Sequence, residues 1–367
     1  NVETGTFEND FELIKNYDWI CEVVVEKLDI KRQIFEKIEK YRKEGSIVSS
    51  NTSGIPLRDI TDNMPDRLLE DVCITHFFNP VKVMKLCELI PGKKTKPEIL
   101  NSLSIFLQDI MNKGVVNAKD TVNFIGNRIG CFLILKGLHQ GKKAREAGIM
   151  QEEIDGLMSR PIGLPPTGLY GLVDLIGLDV MYSVGKNLAI NLPENDQGLK
   201  YVNLPTEEQN MYDNGQLGRK SGGGFYRVQK LDNGEKKKEV FDLSNLEWRD
   251  FKKISIEGDL SLMLEDTEQG NYLWHVMGST LAYAADLIPE IADDILNIDR
   301  AMRWGFAWSK GPFEMLDAIG PNNFINKCKN NNINIPKMLK LLDESGNNSF
   351  YKDGKYFSKE GNYIDLE

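Results

Sequence analysis

Apolar and polar positions follow two different periods along this chain, and the change falls near residue 123. Before it, short runs rich in Val, Ile and Cys read as buried strands, and they alternate with stretches whose apolar residues recur every three or four positions. The run DWICEVVV at 18–25 predicts a strand, and Ile30, Ile34, Ile38 and Tyr41 predict a helix from Asp29 to Lys43 with Asp29 as its N-cap. Three further strands are predicted by the run ending in Asn51-Thr52-Ser53, the run ending in His76, and Met84 to Ile90. Pro97 to Lys113 has the spacing of an amphipathic helix that Gly114 ends, and Val115 to Thr121 predicts another strand. Strands alternating with helices imply an open, mostly parallel, doubly wound sheet, which binds ligands beyond the carboxyl ends of its strands.

From Phe124 the period is helical, with Ile129, Phe132, Leu133 and Leu138 on one buried stripe and the pattern continuing to Met158. An internal repeat follows. Gly126-Asn127 recurs as Gly270-Asn271, Ile154-Asp155 as Ile298-Asp299, Gly168 as Gly311, and Asp174-Leu-Ile-Gly177 as Asp317-Ala-Ile-Gly320, at spacings of 143 or 144 residues. Each copy ends in Phe-Tyr and a hairpin turn, Asn233-Gly234 in the first and Asp353-Gly354 in the second. The expected organisation is therefore α/β followed by all-α. Residues 1–122 form the sheet domain, 123–228 and 271–349 two related helical domains, 229–270 a hairpin and connector, and 350–367 a C-terminal hairpin. Each helical copy would expose an apolar face alone, so the two are expected to pair within the chain.

Three polar side chains arrive at strand ends inside apolar sequence: Ser53, His76 and, on the next strand, Glu88. Asn79-Pro80 is a turn signal, and the segment after His76 is short enough to bring the next strand back beside the last. Glu88 would then meet His76, and a carboxylate beside an imidazole fixes its tautomer. Taken alone, a His at an apolar strand end is more often a hydrogen-bonded core residue than a catalyst.

The formal charge of −10 argues against a nucleic-acid partner, which would require an excess of Lys and Arg. Lysine clusters at Lys93 to Lys96 and Lys236 to Lys238 read as solvated loops, although the first could also meet a phosphate of a ligand. Cys21, Cys73, Cys87, Cys131 and Cys328 are odd in number and lack metal-site spacing, so they read as buried thiols in a reducing compartment. No apolar run reaches the length of a membrane span, and no residues are singled out as metal ligands.

The words NTSGIPL, HFFNPVKVMKLCELI and DTVNFIGNR, in that order, resemble the 3-hydroxyacyl-CoA dehydrogenase family of fatty-acid β-oxidation. The resemblance implies a Rossmann-type domain followed by helical C-terminal domains, an acyl-CoA substrate and NAD as cofactor. It makes His76 the general acid/base and Glu88 its partner, places Ser53 and Asn127 on the substrate, and assigns Glu26, Lys31, Ser53, Asn79 and Lys220 to the cofactor. Enzymes with a similar helical domain that use a lysine base lack HFFNP. The family also carries a G-x-G-x-x-G fingerprint upstream of the position matching Asn1, so the chain is expected to lack the N-terminal part of the Rossmann domain. Some relatives with two helical copies are fused to an enoyl-CoA hydratase, which makes such a domain a possible partner. The rival expectation is a catalytically silent acyl-CoA-binding or assembly piece of a larger enzyme. A cytoplasmic or mitochondrial-matrix setting fits either.

Overall fold

Five short strands form one sheet in chain order: β1 (Trp19–Glu22), β2 (Ile47–Ser50), β3 (Val72–Phe77), β4 (Leu86–Pro91) and β5 (Gly114–Asn117). The computed structural model describes residues 2–366. Neighbouring strands are parallel except β3 and β4, which are antiparallel with His76 opposite Glu88. Directly opposed residues project from the same face of a sheet, so this register alone puts the imidazole and the carboxylate together. The other face buries Cys73 and Cys87 with Leu89, Leu103 and Leu107. Leu103 lies on α4 (Pro97–Ile105), which covers that side.

Several elements are shorter than their apolar runs. β1 stops at Glu22 because its partner β2 is only four residues long, and Val23 and Val25 are left exposed. The helix α1 (Leu28–Tyr41) starts after Lys27, which makes no side-chain cap; Asp29 stands inside the first turn, where its charge meets the helix dipole. The helix expected to reach Lys113 gives way at Phe106 to a single π turn ending at Ile110. β5 takes in only the first part of the run to Thr121. Between β2 and β3 lie α2 (Leu57–Ile60) and α3 (Asp66–Asp71).

The helices that follow are α5 (Gly126–Glu146), α6 (Gln151–Leu157), α7 (Gly168–Ile176), α8 (Leu178–Asn191) and α9 (Thr206–Asp213). A three-stranded antiparallel sheet then forms from β6 (Tyr226–Lys230), β7 (Lys236–Asp242) and β8 (Glu247–Asp250), so part of the expected connector is a paired strand. The second helical series is α10 (Glu268–Leu273), α11 (Ser279–Asp286), α12 (Ile295–Gly305), α13 (Pro312–Ile319), α14 (Pro321–Asn330) and α15 (Lys337–Glu344). The small sheet β9 (Tyr351–Lys352), β10 (Lys355–Phe357) and β11 (Tyr363–Asp365) closes the chain. No single described helix is long and apolar enough to cross a membrane.

The repeat is visible as matched hydrogen bonds. Asp174 accepts the backbone N–H groups of Phe225 and Tyr226, both at 2.8 Å, and Asp317 accepts those of Phe350 and Tyr351 at 2.6 and 2.8 Å. Each Asp is followed by a glycine in the left-handed region, Gly177 at φ 103° and Gly320 at φ 86°, where the chain turns from one helix into the next. The copies touch through α5 and the second series: Phe132 stacks on Tyr283 at 4.2 Å, Arg128 donates to the Tyr283 hydroxyl, and that hydroxyl reaches Asp196 at 2.9 Å.

Two compact units result. One comprises residues 1–127 together with 289–305, and the other comprises 128–288 together with 306–367. The second helical copy is thus shared, because its Pro289–Gly305 segment packs with the five-stranded sheet.

Removing the Asp317 carboxylate leaves two backbone donors without their acceptor, so Asp317→Ala is expected to lower stability by about 2–4 kcal/mol. The urea midpoint measures this, with Asp232→Ala at the exposed turn between β6 and β7 as the control. Glu208 on α9 yields a pH dependence. Its carboxyl is fully buried without a hydrogen-bond partner, and burial pushes it up to about 7 against a weaker opposing pull from Arg145. The folded state therefore holds this proton more tightly than the unfolded state. Its contribution is full below the ordinary value of 4.5 and is lost as pH rises through about 7. Glu208→Gln should flatten the fall of the urea midpoint between those two pH values; an unchanged slope would assign the dependence to other groups.

Candidate functional site

β3 and β4 bring His76 and Glu88 together at the sheet surface. His76 Nδ1 lies 2.6 Å from Glu88 Oε2, and both side chains are buried. The other carboxylate oxygen, Oε1, accepts the backbone N–H groups of Ile125 at 3.0 Å and Gly126 at 2.8 Å. These amides stand at the start of α5, where helix N–H groups lack partners inside the helix and favour a negative charge. Two residues just before them, Asn123 and Phe124, adopt the left-handed region at φ 60° and 50°, which turns the chain so that both amides face Glu88. With Nδ1 engaged by the carboxylate, Nε2 is the nitrogen left for a ligand. The imidazole is held between two aromatic rings, Phe78 at 4.7 Å and Phe124 at 5.5 Å between centroids.

The loop after β2 is organised by a second carboxylate. Glu26 Oε1 accepts from the Thr52 hydroxyl at 2.6 Å and from the N–H groups of Ser53 and Gly54 at 3.0 and 3.1 Å. This leaves the Ser53 side chain exposed at the carboxyl end of β2. Lys31 sits behind Glu26. Its ammonium is 3.0 Å from Glu22 and 3.2 Å from Glu26, and its side chain is 1% exposed, so every charge it could offer is already neutralised within the fold. Ser50 ties the same network to β2 by donating to Glu22. Asn51, which the sequence patterns placed only at a strand end, accepts the Phe77 N–H through Oδ1 at 2.9 Å and so fixes the chain next to His76.

Asn79 is exposed and precedes a cis peptide bond to Pro80, just past the end of β3. Asn127, the second residue of α5, is half-buried one position after the amide that binds Glu88. Ser53, His76, Asn79, Glu88 and Asn127, with Glu26 and Lys31, all belong to the unit built on the five-stranded sheet. Lys220 belongs to the other, where its ammonium pairs with Asp179 at 2.5 Å. That unit also contains a cavity of about 740 Å³ lined by Asp155, Asp174, Tyr226 and Lys238. Its carboxylates are committed to backbone: Asp155 accepts from Tyr170 and Gly171, and Asp174 from Phe225 and Tyr226.

The residues that could hold a dinucleotide are those at the carboxyl ends of β1 to β3. Glu26, Ser53 and Asn79 present polar groups there, suited to a nicotinamide and its ribose. Among the described residues, no strand is followed by a Gly-x-Gly-x-x-Gly turn.

Residues 1–121 match the sequence model of the 3-hydroxyacyl-CoA dehydrogenase NAD binding domain, and residues 124–228 match that of the C-terminal domain. A probable 3-hydroxyacyl-CoA dehydrogenase of Bacillus subtilis is 37% identical over 95% of this chain and 45% of its own length, so the chain spans about half of that relative. A probable 3-hydroxyacyl-CoA dehydrogenase of Caenorhabditis elegans is 33% identical over 61% of this chain and 72% of its own. The fold is that of the crystal structure of 3-hydroxybutyryl-CoA dehydrogenase from Escherichia coli, with a TM-score of 0.66 at 21% identity, covering 92% of this chain and 84% of that one. With residues 1–121 and 124–228 matched by the two domain models of one family, this chain belongs to the 3-hydroxyacyl-CoA dehydrogenase family.

Proposed function

We propose that the protein interconverts (S)-3-hydroxyacyl-CoA and 3-oxoacyl-CoA with NAD, and that His76 is the general acid/base. The observation that carries this reading is the buried His76–Glu88 pair, 2.6 Å apart, in a chain that matches both domains of the family. In the oxidation direction, Nε2 of His76 takes the proton of the 3-hydroxyl. Bound NAD supplies the hydride acceptor; the chain supplies position and proton transfer.

Glu88 stabilises the imidazolium that forms and holds the ring with Nε2 outward. The Ile125 and Gly126 amides keep the carboxylate from rotating away, because Oε1 would lose two hydrogen bonds. Ser53 and Asn127 are the side chains we assign to the acyl oxygens. On the cofactor side, Glu26, Ser53 and Asn79 meet the nicotinamide end. Lys31 acts through Glu26, since its own ammonium is enclosed. Acyl-CoA is the partner this chemistry requires.

His76→Gln keeps a polar side chain of similar reach but cannot accept and return a proton across the reaction. Turnover should fall by about 100-fold or more with substrate binding nearly intact. Steady-state kinetics with a 3-oxoacyl-CoA and NADH measure this, and turnover near the unmodified level would remove His76 from the chemistry. Glu88→Gln offers an amide in place of a carboxylate that now accepts all three of its hydrogen bonds, so either the imidazole or the Ile125 and Gly126 amides lose an acceptor. A decrease of about 10- to 100-fold in kcat with little change in KM is expected.

A further inference from the structure

The two copies of the helical repeat make different use of corresponding helices. In the first copy, α6 packs on α7 within the helical unit; its counterpart α12 packs on β4 and β5, on the face that carries His76 and Glu88. The approach at Gly305, the last residue of α12, is very close. A Cβ added there would lie 2.5 Å from Leu86 Cδ2 and 3.3 Å from the Phe78 ring, and Phe78 is the ring set 4.7 Å from the imidazole. One residue earlier, Trp304 lies on Gly114, where a Cβ would be 2.3 Å from the indole. A side chain at Gly305 would have to displace the Leu86 side chain and crowd Phe78, and one at Gly114 would have to displace the Trp304 indole.

The start of the same segment holds the other member of the pair. Asn297 Oδ1 accepts the N–H of Asn117 at the end of β5 at 2.8 Å, and Asn297 is itself oriented by Asp294 at 2.7 and 2.8 Å. Lys119 is bound by the Pro289 and Ile291 carbonyls at 2.7 and 2.9 Å and pairs with Asp293 at 2.8 Å. Six residues on, this stretch supplies the Ile125 and Gly126 amides to Glu88.

We propose that Pro289–Gly305, contributed by the second helical copy, positions the His76–Glu88 pair: Gly305 seats Phe78 against the imidazole, and Asn297 with Asp293 anchors the 117–126 stretch that holds Glu88. These are positioning residues, acting through Phe78 and through backbone amides. Their effect on turnover rests on the reading of His76 as the acid/base; their effect on the geometry of the ring does not.

The test is made on the full chain with Gly305→Ala and Asn297→Ala, each followed by the NMR signals of its imidazole nitrogens and by kinetics. The three His signals are assigned by comparison with His76→Gln. Both variants should keep a cooperative thermal transition, shift the His76 Nδ1–H signal, and lower kcat by about tenfold with KM changed less than about twofold. An unmoved His76 signal in both variants would overturn the proposal. If His76→Gln itself leaves turnover intact, the acid/base reading fails and the NMR shift still decides the positioning. Should Gly305→Ala not fold, Asn297→Ala decides by the same signal.

Discussion

A fully buried carboxylate needs every one of its lone pairs placed, and Glu88 is where this chain meets that demand. One oxygen faces the imidazole, and the other takes two backbone amides from the first turn of α5. An unpaired charge in that position would be strongly unfavourable, so the three groups determine one another. The antiparallel register of β3 and β4 sets the imidazole, the left-handed residues Asn123 and Phe124 set the amides, and neither can shift without stranding the carboxylate. The pairing of β3 with β4, the entry to the helical series and the ring orientation are tied together by one ion's solvation.

Much of this was legible in the sequence, for identifiable reasons. His76 and Glu88 could be paired because a short Asn79-Pro80 segment leaves little choice but an antiparallel return, and strand periodicity then fixes the shared face. The repeat was legible because Asp174 and Asp317 do the same work for the same Phe-Tyr backbone. Backbone donors, by contrast, have no side-chain signature. Nothing in Ile125-Gly126 announces that their amides will hold a carboxylate. Strand and helix ends were misplaced where a partner decides the length: β1 ends with β2, and Val23 to Val25 are left out despite their composition.

Lys31 shows a different limit. Motif position marks it as a cofactor contact, yet four acceptors, two oxygens of Glu22, one of Glu26 and the Val24 carbonyl, close around its ammonium in the interior. Removing one partner of such a buried set typically costs about 3–5 kcal/mol, more than a single surface contact with a ligand would supply. The lysine therefore bears on the Ser53 loop through Glu26, whose remaining oxygen gathers Thr52, Ser53 and Gly54. A motif identifies that a residue matters to a site; only the packing distinguishes touching a ligand from holding the residue that does.

The same distinction explains how a repeat can diverge without losing its shape. Both copies keep the Asp cap and the left-handed glycine after it, because these close the helical series on itself. The helix between α11 and α13 carries no such internal duty, and in the second copy it packs on the sheet instead. Positioning requires only shape and a few acceptors: a glycine small enough to admit Phe78, an indole over Gly114, and the Asn297 carbonyl. A copy that lacks the lysine found at position 220 of the first can therefore still pack against the strands and the ring that hold the His76–Glu88 pair, since packing asks for shape rather than a reacting group.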